Sequence, residues 1–127
     1  MFHSFNLSNE TSASMPIGAF SAIKEAVLGE MYKLNIIIVS AERIKKLNTI
    51  YRDKTEPTDI LSFPVSKHEG EIYLCPSEVR KEAKKFERSY ANFLQFLLIH
   101  GCVHLKGYDH GATMERLEAK FRKRFAI

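Results

Sequence analysis

The sequence predicts a single α+β domain in which a small mixed sheet of about four strands is covered by helices. The chain has 127 residues, which suits one hydrophobic core and leaves little room for a second domain. Short apolar runs typical of strands alternate with longer segments in which apolar residues recur at helical spacing. The composition, 45% apolar and 27% charged, is ordinary for a folded soluble protein. We therefore treat residues 1–127 as one domain.

Alternation and proline position predict the first three elements. Polar and apolar residues alternate weakly over Phe2–Leu7, which favours a strand. Pro16 can begin a helix, and apolar residues then recur at helical spacing to about Met31. The isoleucine-rich run Leu34–Val39 is typical of a strand buried on both faces.

A second helix and a hairpin follow. Ser40 is a suitable N-cap for a helix that ends at about Tyr51, and Arg52–Thr58 has the composition of a loop. Two short strands separated by a turn then predict a β-hairpin, with Pro64 ending its first strand. The ranges are Ile60–Phe63 for the first strand, His68–Gly70 for the turn and Glu71–Leu74 for the second strand.

Three helices are predicted to complete the chain. Pro76–Arg88 is a charged helix that begins with proline. Ser89–Leu105 contains no Asp, Glu, Lys or Arg, but it is shorter than the roughly 20 residues that cross a bilayer. We therefore expect a helix buried inside the domain and no membrane contact. Gly107 ends this helix, and Ala112–Phe125 is a final amphipathic helix.

The charge and the cysteines indicate the surroundings of the protein. The formal net charge of +4 and the pI of about 9.1 favour a polyanionic partner such as RNA, although many proteins with this charge bind no nucleic acid. Cys75 and Cys102 form no C-x-x-C pair, and the N-terminus has no secretory signal pattern. We therefore expect free thiols and a cytoplasmic location.

Three histidines at the end of the buried helix form the constellation that suggests chemistry. His100 and His104 are four residues apart, so their directions on a helix differ by only about 40°, one turn apart. Gly107 lets the backbone reverse, so that His110 can return towards the same point. Three imidazoles with an open fourth position are typical of catalytic zinc. We predict one Zn²⁺ per chain on these histidines, while the residues alone leave other divalent metals open.

The residues beside the histidines refine this prediction. Cys102 points about 200° away from His100 around the helix and is predicted to be a core thiol. Gly101 occupies the position at which H-E-x-x-H peptidases place their general base, which argues against a peptidase. Asp109 is a candidate to orient a ligand ring, and capping of the last helix is an equal alternative.

The segment His100–His110 resembles the H-G-x-L-H-L-x-G-Y-D-H signature of the YbeY family, bacterial ribosomal-RNA maturation factors described as endoribonucleases. Val103 stands where the family usually has leucine. Two further segments resemble family motifs and follow in the family's order, whereas residues 1–40 match only in the order of elements. These segments run from Leu47–Asn48 through Tyr51–Arg52 to Pro57–Pro64, and from Gly70 to Pro76.

The resemblance implies a small mixed sheet with flanking helices and a zinc held by the three histidines. It implies cleavage of single-stranded RNA, maturation of the 3′ end of small-subunit (16S) rRNA, and ribosome quality control. The expected partners are rRNA and the small ribosomal subunit or its assembly factors. It also points to Arg52 as the functional arginine, and its planar guanidinium suits phosphate. Arg52 and His100 are therefore the predicted catalytic residues.

Several assignments stay open at this point. Arg80, Lys84, Lys85 and Arg88 are candidate RNA contacts, with a merely solvated helix face as the equal alternative; Glu115–Arg124 is a second basic segment. Asp59 either forms a turn or pairs with Arg52. Tyr73 and Tyr108 either stack on bases or pack, and we assign no role to His3 or His68.

Two other functions remain as alternatives to the endoribonuclease. One is a non-catalytic, zinc-containing ribosome-assembly factor, and the other is a metallopeptidase-type hydrolase. The sequence does not predict the attacking group (water or the RNA 2′-hydroxyl), the general base, the cleavage site or the oligomeric state.

Overall fold

The computed structural model describes residues 4–127. His3 and the first residue of the predicted opening strand lie outside the described residues. The fold is α+β, with four strands and five helices in this part of the chain. In chain order they are β1 Phe5–Asn9, α1 Ile17–Leu28, β2 Lys33–Ile38, α2 Ala41–Arg52, β3 Ile60–Ser66, β4 Glu69–Leu74, α3 Pro76–Lys85, α4 Tyr90–Leu105 and α5 Ala112–Arg124.

The four strands form one mixed sheet in the order β1-β2-β4-β3. β1 and β4 are both parallel to β2, and β3 is antiparallel to β4, which confirms the predicted hairpin. The prediction that Pro64 ends its strand is wrong, because β3 continues to Ser66. β3 is an edge strand with an irregularity between Pro64 and Ser66, and such positions tolerate a residue without a backbone N–H. Gly70, predicted in the turn, belongs to β4.

Burial on β2 is one-sided. Leu34, Ile36 and Ile38 are fully buried, whereas Asn35 and Ile37 between them are only partly buried. The prediction of a strand buried on both faces is therefore wrong. The main core, which includes side chains of α1 and α4, covers one face, and a smaller cluster that includes residues of α2 covers only part of the other.

Helix α4 is the central helix of the fold, and it contacts α1, α3, α5 and β3. Phe93, Leu98 and Cys102 are almost completely buried on it. No helix within residues 4–127 is long and apolar enough to cross a membrane. Because this apolar helix runs through the core, its few half-exposed residues mark the places where it reaches the surface.

Helix α3 ends earlier than predicted. It stops at Lys85, and Glu87 has a φ of 54°, in the left-handed region that ends helices. Ser89 then begins α4 by accepting a hydrogen bond from the backbone N–H of Asn92. Arg88 consequently lies in the connection between the two helices and not on α3.

Candidate metal site and RNA-binding cleft

Arg52 is the last residue of α2, and its predicted position in the following loop is wrong. The helix extends one residue further because Asp53, with a φ of 56°, adopts the left-handed conformation that caps it. Asn48 is 2% exposed and fixes the next segment. Its side-chain amide donates to the carbonyl of Glu56 at 2.9 Å. The end of α2, and with it Arg52, is thus held against the chain that leads into β3.

Arg52 and the three histidines line one surface cleft of about 500 Å³. They come from the end of α2, from α4 and from the segment between α4 and α5. The other wall is the start of β3 and the residues before it. The cleft is lined by Arg52, Thr58, Asp59, Ile60, Leu61, Ser62, Phe63, His100, His104 and His110.

His100 is held by an acidic residue, Glu118, that was not among the predicted site residues. Its Nδ1 lies 3.0 Å from Oε1 of Glu118 on α5. The side chain of Glu118 is 9% exposed, and Arg122 approaches the same oxygen at 3.9 Å. A signal was present in the sequence, because Glu118 lies four residues after Met114 and three before Phe121, both buried on α5. An acid on the apolar stripe of a helix requires a partner.

His104 is oriented by the backbone. Its Nδ1 lies 3.2 Å from the carbonyl oxygen of Tyr108. A carbonyl can only accept, so Nδ1 carries a hydrogen and the lone pair of the neutral ring lies on Nε2. The reversal that brings Tyr108 back depends on Gly107, whose φ of 111° is accessible mainly to glycine. The predicted role of Gly107 is confirmed.

His110 lies in the exposed segment before α5 and faces the other two rings. Its ring centre is 5.4 Å from that of His100 and 6.2 Å from that of His104. Among residues 4–127, no three His, Cys, Asp or Glu side chains already have the mutual placement that holds a metal ion. The donor set nevertheless fits zinc in kind, since two rings are fixed through Nδ1 and can offer Nε2. His110 is exposed and supplies the third imidazole of the set.

The two aspartates near the site differ in their surroundings. Asp109 is exposed, and within the described residues it neither hydrogen-bonds a histidine ring nor caps α5. Asp59 lines the cleft, and its carboxylate accepts a hydrogen bond from the hydroxyl of Thr58 at 3.4 Å. Burial, and secondly the charge of Glu82, raise the pKa of Asp59. No described carboxylate within 4.0 Å pairs with Arg52.

The residues between the first two histidines face the core. Cys102 is fully buried, and burial raises its pKa, so the predicted core thiol is confirmed. A Cβ on Gly101 would lie 2.9 Å from Oγ of Ser62 and 3.0 Å from Cδ1 of Ile72. The helix therefore packs too closely on the sheet for the glutamate of an H-E-x-x-H motif. Close packing therefore explains why position 101 carries glycine and not a general base.

The four basic RNA candidates differ in their surroundings. Arg80 stacks on Tyr90 at 4.3 Å beside a separate cavity of about 590 Å³, lined largely by small polar and apolar residues. Lys85 pairs with Glu82 at 3.0 Å, and Lys84 is exposed. Arg88 donates to Asn92 at 2.6 Å. Although that cavity is larger than the cleft, the histidines and Arg52 identify the cleft as the candidate functional site.

Both tyrosines make packing contacts and are only partly buried. Tyr73 contacts Phe63 edge-on with ring centres 5.8 Å apart, and Tyr108 packs against the main core. Phe63 also contacts Tyr51 at 5.1 Å. Tyr51 is 64% exposed, so this aromatic group extends from the cleft wall to the surface.

Fold and site together define a class of small α+β proteins with a histidine triad and an arginine in one surface cleft. Residues 5–126 match the family model described as Endoribonuclease YbeY. This chain belongs to the YbeY family.

Relatives named Endoribonuclease YbeY show how far the similarity extends. The chain is 38% identical to one from Thermotoga maritima over 98 residues, which are 76% of this chain and 65% of that protein. It therefore spans just under two thirds of that relative. It is 32% identical to one from a Sulfurovum species in an alignment of 127 positions, which covers 92% of this chain and 85% of the relative. A solution structure of a Thermotoga maritima protein matches with a TM-score of 0.70 and 29% identity, covering 96% of this chain and 91% of that one.

Proposed function

We propose that this protein is a zinc-dependent endoribonuclease that cuts single-stranded RNA during 3′-end maturation of small-subunit rRNA and in ribosome quality control. One observation carries the proposal: Arg52 shares a cleft with the histidine triad in a chain of the YbeY family. The names of the relatives support an RNA substrate. A cytoplasmic location and contact with the small ribosomal subunit or its assembly factors belong to the same proposal.

The proposed zinc ligands are His100, His104 and His110, one ion per chain. Nδ1 of His100 is engaged by Glu118 and Nδ1 of His104 by a carbonyl, which leaves Nε2 of each ring for the ion. A bound zinc ion would supply Lewis acidity at a phosphoryl oxygen and would lower the pKa of a coordinated water to about 7. Three protein ligands are the number typical of a catalytic site.

The other cleft residues have distinct proposed roles. The exposed guanidinium of Arg52 binds the substrate phosphate and neutralises charge that develops there, because its planar fork matches phosphate oxygens. Glu118 keeps the ring of His100 in one orientation. Asp59 is a carboxyl group of the cleft with a raised pKa, a property suited to holding a proton during the reaction.

Zinc content and RNA cleavage test the proposal together. Elemental analysis of purified protein should give one zinc per chain. Cleavage of single-stranded RNA should stop after chelation and return with added zinc, while casein stays intact. His104→Ala should lose both zinc and cleavage. His68→Ala is the matched control, because His68 is exposed in the turn between β3 and β4.

Other results would contradict the proposal or refine it. A folded, zinc-free His104→Ala that still cuts RNA would exclude a zinc-dependent reaction. Loss of stability with no cleavage by any form would favour the non-catalytic assembly factor, and cleavage of casein would favour the peptidase. A 2′,3′-cyclic phosphate product would identify the 2′-hydroxyl as the attacking group.

A further inference from the structure

A group of aromatic and arginine side chains lies beside the cleft, and we call Phe86, Arg88, Phe96 and Arg122 the aromatic–arginine surface. Phe86 is 56% exposed. Its ring stacks on Phe93, with centres 5.3 Å apart, and lies 6.1 Å from Phe96. The guanidinium carbons of Arg88 and Arg122 lie 4.5 and 5.2 Å from the ring centre of Phe96. One ring therefore holds two cations, and an exposed ring lies next to it.

The positive charge of this surface is incompletely balanced. Arg122 has the carboxylate of Glu118 at 3.9 Å. Arg88 instead donates to the neutral side chain of Asn92 at 2.6 Å, and within residues 4–127 no carboxylate forms an ion pair with it. The exposed Glu87 is the acidic residue next to it in the chain. The ring of Phe96 thus holds two guanidinium groups, and only one of them forms an ion pair with a carboxylate. This excess of positive charge favours an anionic ligand.

The surface leads directly to the proposed metal site. Asn92, Phe96 and His100 follow one another at four-residue spacing on α4, so each lies about one turn further along a common stripe. Arg122 and His100 also share Glu118 as a neighbour. At the far end, a shallow depression of about 420 Å³ is lined by Phe86, Glu87, Arg88, Ser89 and Asn92. This depression lies at the N-terminus of α4, the positive end of the helix dipole.

We propose that the aromatic–arginine surface binds the stretch of single-stranded RNA next to the bond that is cut. Phe86 stacks on a base, and Arg88 and Arg122 contact backbone phosphates. Single-strand binding combines these two features, because bases stack on aromatic rings while cations follow the backbone. An acidic protein segment would use the arginines but would gain little from the exposed ring. The inference rests on the proposed function, whose site this surface would extend.

Binding of RNA without cleavage tests the surface. The affinity of metal-free protein for a short fluorescein-labelled single-stranded RNA is measured by fluorescence anisotropy at several salt concentrations. Phe86→Ala should weaken binding about 5- to 150-fold, as expected for one lost base stack. The salt dependence is the slope of log Kd against log salt concentration. The double variant Arg88→Gln, Arg122→Gln should lower this slope by about 1.4, which corresponds to two phosphate contacts.

Controls separate the surface from general charge and from folding. Phe86→Tyr keeps an aromatic face and should bind like the wild type, as should Lys46→Gln, which removes an exposed charge on α2. Thermal unfolding confirms that each variant is folded. The Phe86→Ala result keeps the test valid if the double arginine variant is unstable.

The outcomes distinguish this inference from the proposed function. If the wild type cuts RNA and Phe86→Ala binds RNA as tightly as the wild type, the inference about the surface is wrong and the proposed function stands. If the wild type binds RNA through Phe86 but never cuts it, the proposed nuclease activity is wrong and the inference about RNA binding at the surface stands. If polyglutamate displaced the labelled RNA as well as unlabelled RNA does, the surface would belong to an acidic protein partner and the inference would be wrong.

Discussion

The carboxylate of Glu118 on α5 lies 3.0 Å from Nδ1 of His100 on α4, so the last helix is part of the site. The two residues are 18 positions apart in the chain. Because only 9% of the Glu118 side chain is exposed, water competes little for this contact. Packing of α5 on α4 therefore sets the direction in which the ring of His100 points.

Removal of the Glu118 carboxylate should weaken zinc binding. Glu118→Ala should lower the affinity about 10- to 100-fold, the usual effect of losing the group that orients a ligand histidine. Glu118→Gln should have a smaller effect, because its amide oxygen still accepts a hydrogen bond. Competition with a chelating dye measures the affinity, and Glu115→Ala, at an exposed position in the first turn of α5, is the control. Equal affinities for Glu118→Ala and Glu115→Ala would contradict the positioning role.

Gly101→Ala should destabilise the protein by about 1–3 kcal/mol, because its Cβ would press on Ser62 and Ile72 of the sheet. Urea unfolding measures the change. The matched control is Gly18→Ala on α1, where nothing lies within 4 Å of the added Cβ. That variant should gain up to about 1 kcal/mol from helix propensity. An unchanged midpoint for Gly101→Ala would show that α4 can move away from the sheet at no cost.

Asp59→Asn should stabilise the protein at neutral pH but not in acid. Burial raises the pKa of Asp59 above its unfolded value of about 3.9. Its contribution to stability is therefore complete below that value and is lost as the pH rises through the folded pKa. Asparagine keeps a side-chain oxygen for the hydroxyl of Thr58 and carries no charge.

Urea unfolding of metal-free protein at several pH values checks this expectation for Asp59. The advantage of Asp59→Asn should disappear below about pH 4, near the unfolded pKa. Asp53→Asn is the control, because Asp53 is exposed and its left-handed conformation also accepts asparagine. A constant difference between wild type and Asp59→Asn across the pH range would mean that the carboxyl group ionises equally in both states.

Neither cysteine should react with a thiol reagent in the folded protein. Cys75 and Cys102 are fully buried, and burial raises the pKa of Cys102, which keeps its thiol protonated at pH 8–9, where a free cysteine ionises. Ellman's reagent should detect both thiols only after unfolding in guanidinium. Ser66→Cys, at an exposed position on β3, should react at once. Rapid labelling of the wild type would place a thiol at the surface.

Local patterns are sufficient to predict most of the helices and strands and the grouping of the three histidines in one cleft. The helical spacing of His100 and His104 and the reversal at Gly107 depend on residues close in sequence, so short-range rules describe them. The end of α2 and the length of β3 were predicted wrongly. The loop composition after Tyr51 predicts an earlier end for α2, but Asp53 in the left-handed conformation caps the helix after Arg52. Pro64 predicts an earlier end for β3, but the edge position of that strand tolerates proline.

Short-range patterns account for the elements, the α+β class and the histidine cluster, because each depends on side chains within a few positions of one another. The distant groups that join that cluster are set by the packing of the elements. Arg52 and Asp59 reach the cleft because the end of α2 and the segment before β3 line it together with α4, and Glu118 reaches His100 because α5 packs on α4. Such contacts depend on how whole helices and strands pack, and no spacing within one segment encodes them.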